Sequence, residues 1–228
     1  MIDNKTVTAI ILAAGNSTRF GKHRNKNFEI LNAKAVLAYS LEAFCKNKYV
    51  DSIIIAVKEC EIQEVKNIIN GQLLNKKVEI IIGGNTRKQS VYNCIKKTDS
   101  NIVIIHDGAR PLIKQEYITN CIEEMKNFKG VTIGIKSKDT IKITDKNNIV
   151  INTTNRNNTW IIQTPQCFDK TTLLEVHEKY KDNSATDDCS LLEKAGYQIR
   201  VISGDYSNIK ITTSEDLNIA KELLYLSY

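Results

Sequence analysis

Four largely apolar runs, Val7–Ala13, Asp51–Val57, Val78–Ile82 and Ile102–Ile105, alternate with helically spaced stretches through the first half of this chain. A strand buried on both faces reads as a continuous apolar run, as these do. Between them, Ala35–Cys45 places Val36, Leu37, Leu41 and Phe44 on one face, and Glu61–Leu74 does the same with Ile62, Val65, Ile68 and Ile69. A third helix runs through Val91, Cys94 and Ile95. Strands alternating with helices predict an α/β fold around an open, mostly parallel sheet, with function in the loops at the strands' carboxyl ends.

The pattern changes after a helix predicted over Gln115–Asn127. Val131–Lys136 reads as a strand, and Thr140–Thr144 and Ile149–Thr153 alternate apolar and polar residues around Asp145-Lys146-Asn147-Asn148. This spacing predicts a protruding β-hairpin, which is marginal alone and calls for a partner to cover it. From Trp160, expected in the core, the chain returns to the earlier pattern. Helices are predicted over about 170–181 and 187–195, a strand over Gln198–Ser203, and a closing helix capped at Ser214-Glu215-Asp216. No repeat or Pro/Gly linker divides the 228 residues, so residues 1–228 read as one domain with an arm at about 136–156.

Arginine is scarce, six residues against a large excess of lysine, and four of the six lie in polar clusters. These are Arg19 after Ala13-Ala14-Gly15, Arg87 after Gly83-Gly84, Arg110 in His106-Asp107-Gly108-Ala109-Arg110-Pro111, and Arg156 before Trp160. An arginine kept against such a bias is suited to grip phosphate with paired hydrogen bonds. The net charge of +6 comes from dispersed lysines, without an arginine-rich tract or aromatic-interleaved patch, so nucleic acid is not expected as a partner. The same charge attracts a small polyanion. No run reaches the roughly 18 apolar residues of a membrane span, and no signal-peptide pattern opens the chain, so the cytoplasm is expected. The six cysteines form no CxxC pair and read as reduced, mostly buried hydrophobes.

The segment Gly15 to Gly21, followed by Lys22 and Lys26, fits neither the dinucleotide nor the P-loop spacing but offers backbone N–H groups and cations to a triphosphate. An ordinary strand–helix turn is the plainer alternative. Asp107, directly after a strand, suits a divalent cation that bridges nucleotide phosphates, or else caps a helix. His106 beside it is expected to orient or pack rather than act as a base. Thr186 or Asp187 is expected as a helix N-cap. Lys210, inside what reads as an apolar strand end, needs an anionic partner.

In order along the chain, the Ala-Ala-Gly loop with Arg19 and Lys26, Gly83 to Ser90, His-Asp-x-Ala-Arg-Pro, Asp139-Thr140-Ile141-Lys142, Arg156-x-x-x-Trp160-x-x-Gln-Thr-Pro-Gln, Ala185-Thr186-Asp187-Asp188 and Asn208-Ile209-Lys210-Ile211-Thr212-Thr213 resemble the 2-C-methyl-D-erythritol 4-phosphate cytidylyltransferases of the non-mevalonate isoprenoid pathway. The resemblance spans nearly the whole chain. It implies a Rossmann-like nucleotidyltransferase fold, CTP as co-substrate with Mg²⁺, and a homodimer whose hairpin arms embrace. It implies Arg19, Lys26, Arg156 and Lys210 as catalytic, and Ala13, Ala14, Gly15, Gly84 and Ser90 as nucleotide-binding. Asp107, Arg110, Thr140, Arg156, Thr164 and Lys210 are implied to bind the polyol phosphate, with Asp107 also the metal residue. Arg156 and Thr140 would reach the partner's site.

Two positions depart from the family pattern. Asn25-Lys26-Asn27 stands where Pro-Lys-Gln is usual, so the loop is expected to order when CTP binds. Gly108 stands where alanine is common. The ribitol-5-phosphate cytidylyltransferases are the nearest alternative, but they usually show Ser-Val before Arg-Pro and lack the tryptophan. A silent nucleotide-binding regulator on the same fold would have no chemical need for Arg19, Lys26, Asp107 and Lys210 together.

Overall fold

The structure, a computed structural model, describes residues 2–20, 24–181 and 186–226, with the Arg19 side chain left undescribed. The first half is the predicted alternation: β1 (Val7–Leu12), α1 (Val36–Lys46), β2 (Ser52–Val57), α2 (Ile62–Asn70), β3 (Lys77–Ile82), α3 (Arg87–Ile95), β4 (Ile102–Asp107) and α4 (Gln115–Glu124). Then come β5 (Gly130–Lys136), β6 (Lys142–Thr144), β7 (Val150–Thr153), β8 (Trp160–Asp169), α5 (Lys170–Lys179), α6 (Asp188–Lys194), β9 (Ile199–Ser203) and α7 (Ser214–Tyr225). Helix α2 stops at Asn70, short of the predicted Leu74, where Gly71 receives the last turn.

Seven strands form one sheet in the order β9-β5-β8-β4-β1-β2-β3. Only β8 runs antiparallel to its neighbours β4 and β5; the remaining pairs are parallel. One core layer lies between the sheet and α1, α2 and α4, built on Leu37, Phe44, Val65 and Ile118. The opposite layer packs α3, α5 and α6 through Val91, Ile95, Leu173 and Leu192. Both faces of β1, β2 and β4 are thereby covered, which is why their sequences are apolar without alternation.

Beyond such helix ends, the sequence reading and the structure differ at Trp160, at Lys210 and at the last helix cap. Trp160 is half-buried at the start of β8, opposite Lys136, whose Nζ lies 5.7 Å from its ring centroid, and is not in the core. Lys210 lies in an irregular segment after β9 rather than in a strand, held because Ile211 N–H donates to Ala109 O at 2.8 Å. The closing helix is capped one residue earlier, by Thr213, whose hydroxyl and the Asp216 carboxylate form a reciprocal capping box.

Candidate functional site

Parallel register brings the strand ends together. Leu12 of β1 pairs with Ala56 of β2 and with Asp107 of β4, so the glycine loop, the segment after β2 and Asp107 share one edge. Two cavities open there. One of about 560 Å³ is lined by Ala14, Gly15, Lys26, Gly84, Thr86 and Ser90, and one of about 450 Å³ by Arg110, Ile162, Gln163, Thr164, Gln166 and Asp187. Arg87, Asp107 and Lys210 line both.

Asp107 is the hub. Lys210 Nζ lies 2.8 Å from its Oδ2, Arg110 Nε 3.6 Å from the same oxygen, and Arg87 Nε 3.9 Å from Oδ1. Burial by itself would push this carboxyl up, but Lys210, Arg87 and Arg110 outweigh it and hold the group well below the usual carboxylate range. Asp107 is therefore ionised, with Arg87 Nε 3.9 Å from its Oδ1. Among the described residues no three His, Cys, Asp or Glu side chains converge as a metal cage. The donor set fits magnesium only as a single carboxylate contact completed by phosphate and water, which is how that ion commonly binds.

His106 is buried and neutral. Burial lowers its pKa to about 4, against a hydrogen bond to the Arg110 carbonyl that favours the charged form. A carbonyl only accepts, so Nε2 carries the proton and donates to Arg110 O at 3.1 Å. Nδ1 then accepts from the Thr164 hydroxyl at 3.1 Å, and that hydroxyl accepts from Asp107 N–H at 3.0 Å. Thr164 is placed by the irregular stretch of β8 between Ile162 and Gln166, so its hydroxyl orients Asp107 and keeps one lone pair for a ligand.

The expected residues divide by where they stand. Ala14, Gly15, Lys26, Gly84 and Ser90 line the first cavity, and Ser90 Oγ fixes the loop by accepting from Gly84 N–H at 3.0 Å. No side chain fits at Gly84, where a Cβ would stand 2.0 Å from Gln89 Cγ. Asp107, Arg110, Thr164 and Lys210 line the second cavity. Ala13 lines neither cavity: it is buried, its N–H donating to Ala56 O at 2.8 Å and its carbonyl accepting from Asn25 Nδ2 at 2.8 Å. Arg156 and Thr140 pair with each other at 3.0 Å on the exposed base of the arm and line neither cavity of their own chain. Arg19 sits in the short turn Thr18–Phe20, its side chain outside the described part, as are Gly21, Lys22 and Ala185.

The sequence gives Arg87 only as one of four arginines suited to grip phosphate, and Asp188 only as part of a capping segment. Asp187 is indeed the N-cap of α6, accepting from Ser190 N–H at 3.0 Å. Asp188 behind it is buried and binds Arg87 Nη1 at 2.6 Å and His177 Nε2 at 3.0 Å. Burial opposes the Arg87 charge, but Asp188 and Asp107 outweigh it and raise its pKa. The scarcity of arginine was the available signal for Arg87. Nothing in the sequence joined it to Asp188, which lies 101 residues away.

Comparison with known proteins places the chain's family and fold. The model of the IspD family, 2-C-methyl-D-erythritol 4-phosphate cytidylyltransferase, matches residues 7–225. The cytidylyltransferase of that name from Clostridium beijerinckii is 42% identical over 222 residues, covering 94% of this chain and 96% of its own length. The one from Caldanaerobacter subterraneus subsp. tengcongensis is 40% identical, covering 96% and 98%. The crystal structure of 4-diphosphocytidyl-2C-methyl-D-erythritol synthase from Anaerococcus prevotii matches with a TM-score of 0.88 at 34% identity, covering 99% of this chain and 100% of that one. The Francisella tularensis cytidylyltransferase structure matches at 0.78 and 30%, covering 96% and 99%.

Proposed function

The chain belongs to the 2-C-methyl-D-erythritol 4-phosphate cytidylyltransferase family, and from that premise we propose how its own residues perform the reaction. The enzyme is a nucleotidyltransferase. It transfers CMP from CTP to 2-C-methyl-D-erythritol 4-phosphate and releases pyrophosphate, in the non-mevalonate route to isoprenoid precursors. A phosphate oxygen of the polyol substrate forms a bond to the α-phosphorus of CTP, and the bond to the β-phosphate oxygen breaks, with its electron pair leaving on pyrophosphate. The nucleophile is already an anion, so no base is required, which agrees with the neutral, internally bonded His106.

The observation that carries the assignment is the pair of cavities with Asp107, Lys210 and Arg87 as their common wall. CTP occupies the first, against the backbone of Ala14, Gly15 and Gly84, with Arg19 and Lys26 on the triphosphate. The polyol phosphate occupies the second, against Arg110, Thr164 and Lys210. Two polyanions then meet at a fixed row of cations, and the work done on the reaction is alignment plus stabilisation of charge in the transition state. Mg²⁺, held at Asp107 and the phosphates, would supply further neutralisation of the triphosphate charge.

Thr140 and Arg156 complete the second cavity of a neighbouring copy in a homodimer. The reading is supported by their exposure and by the apolar residues left open on the arm, among them Ile149, Val150 and Ile151. The described residues contain no helix long and apolar enough to cross a membrane, and we place this single-domain enzyme in the cytoplasm. The test is pyrophosphate release from CTP and Mg²⁺ with methylerythritol phosphate or ribitol 5-phosphate. Turnover with the first is expected, and turnover with ribitol phosphate alone overturns the assignment.

A further inference from the structure

The departure of Asn25-Lys26-Asn27 from the usual pattern has a structural counterpart. Asn25 is buried and caps the short turn Lys26–Phe28 with φ −66 and ψ 126. Its Nδ2 donates to Ala13 O at 2.8 Å and lies 3.1 Å from both carboxylate oxygens of Glu61, just before α2. Its Oδ1 accepts from Asn27 N–H at 3.1 Å, from Asn27 Nδ2 at 2.9 Å and from the Ser17 hydroxyl at 3.2 Å. The Ser17 oxygen in turn accepts from Lys26 N–H at 3.2 Å. Beside it, the Arg24 guanidinium pairs with Glu64 on α2. Both donor hydrogens and the acceptor of one amide are thus committed, and they tie the Lys26 turn to the end of β1, to the glycine loop and to the start of α2. Hydrogen bonds hold residues 24–28 at the place where the family pattern has a proline ring.

Asn27 extends the clamp. Its Nδ2 also reaches Ala13 O, at 3.3 Å, and its Oδ1 is buried without a hydrogen-bond partner. A Cβ on Gly108 would stand 2.9 Å from that oxygen, and 3.1 Å from Leu12 O and from Leu37 Cδ1. The two departures therefore touch: Gly108 leaves the space that Asn27 fills.

We propose that Asn25 is a positioning residue for the nucleotidyl transfer, holding the Lys26 turn at the wall of the nucleotide cavity, with Gly108 as the complementary space for Asn27. This rests on the role assigned to Lys26 above. Lys26 carries the contact, while Asn25 fixes where its backbone stands. A displacement near 1 Å in such a site costs on the order of a hundredfold in rate, so the clamp acts on kcat more than on polyol phosphate binding.

Asn25→Ala is expected to lower kcat for pyrophosphate release by about tenfold or more, with the KM for polyol phosphate nearly unchanged and the chain still folded at a lower thermal midpoint. Asn25→Pro is expected to recover most of that loss, since φ −66 is already the angle that a proline ring imposes. In single-turnover measurements on a Lys26→Ala background, Asn25→Ala is expected to cost less than about twofold, because its effect runs through the missing side chain. Wild-type turnover by Asn25→Ala, an equal loss with Lys26 absent, or a proline variant no faster than alanine each overturns the proposal. Wild-type turnover by Lys26→Ala itself removes the Lys26 assignment first, and this inference with it.

Discussion

Asp107 and Arg156 both serve the polyol phosphate in the proposed reaction, yet their surroundings are opposite. Asp107 ends a strand buried on both faces and is held by cations from α3, from the segment after β4 and from the segment after β9. Arg156 stands on an exposed turn at the foot of a two-stranded ribbon and bonds to Thr140 of the same arm. The first region is complete within the chain. The second lines neither cavity of its own chain, and in the proposed homodimer one active site would draw on two regions with different sources of order: core packing for Asp107, assembly for Arg156.

The largest effects break this comparison directly. Lys26→Ala is expected to lower turnover by about a hundredfold or more without unfolding the chain, as loss of a transition-state phosphate contact does. Arg156→Ala is expected to be similarly inactive. If the arm serves the neighbouring copy, mixing the two inactive chains assembles one site holding an intact Lys26 and an intact Arg156, and activity returns. Verified subunit exchange with no recovered activity would assign Arg156 to its own chain and erase the contrast.

Lys210→Ala tests the packed region alone, with an expected loss of roughly tenfold to a hundredfold in kcat/KM for polyol phosphate. Its ammonium sits 2.8 Å from Asp107 on the wall between the cavities, so removal leaves Asp107 with the more distant Arg110 and Arg87. CTP binding measured alone by calorimetry is expected to change little. A large loss of CTP affinity with unchanged dependence on polyol phosphate would move Lys210 to the nucleotide side.

Stability offers the next comparison. His106 has a pKa near 4 in the folded protein, against an ordinary 6.5, because burial disfavours its charge. Between those values the unfolded chain binds a proton that the fold refuses, so stability rises with pH across that window. The contribution is complete above about pH 6.5 and is lost toward pH 4, amounting to about 3 kcal/mol. Urea unfolding at pH 7 and pH 4.5 should show this loss, and His106→Asn should flatten the slope. An unchanged slope in that variant would assign the acid sensitivity to carboxylates instead.

What the sequence made legible follows the same division. β1, β2 and β4 were readable because burial on both faces leaves an unbroken apolar run. The antiparallel insertion of β8 was not, because its first residues, Trp160 to Ile162, are half-buried or exposed and Thr164-Pro165 interrupts its pairing. Asp107 and Arg110 are legible as charged residues at the carboxyl end of an apolar strand. Contacts that join distant segments, such as Arg87 with Asp188 or Asn27 with Gly108, depend on how loops meet above the sheet, and local pattern carries no trace of them. Lys210 is legible as a cation among apolar neighbours in need of an anion, and it meets Asp107 at 2.8 Å, although its segment is not a strand.

The smallest effect on the chain itself is expected on the arm. Ile151 is 67% exposed on β7, and neighbouring Ile149 and Val150 are more than half exposed. A substitution there removes almost no packing within one chain, so Ile151→Ser should change monomer unfolding by less than about 0.5 kcal/mol. Assembly should respond differently, since burying such a side chain against a partner contributes about 1.5–3 kcal/mol. Sedimentation across a concentration series should therefore show weakened dimers, and activity should fall with dilution more steeply than in the unsubstituted enzyme. An equivalent change at Ile104, buried in β4, would instead cost the fold several kcal/mol, about 2–5 by analogy with core truncations. If Ile151→Ser destabilised the isolated chain as a core substitution does, the arm would be part of the monomer's packing, and Arg156 would need no second copy to hold it in place.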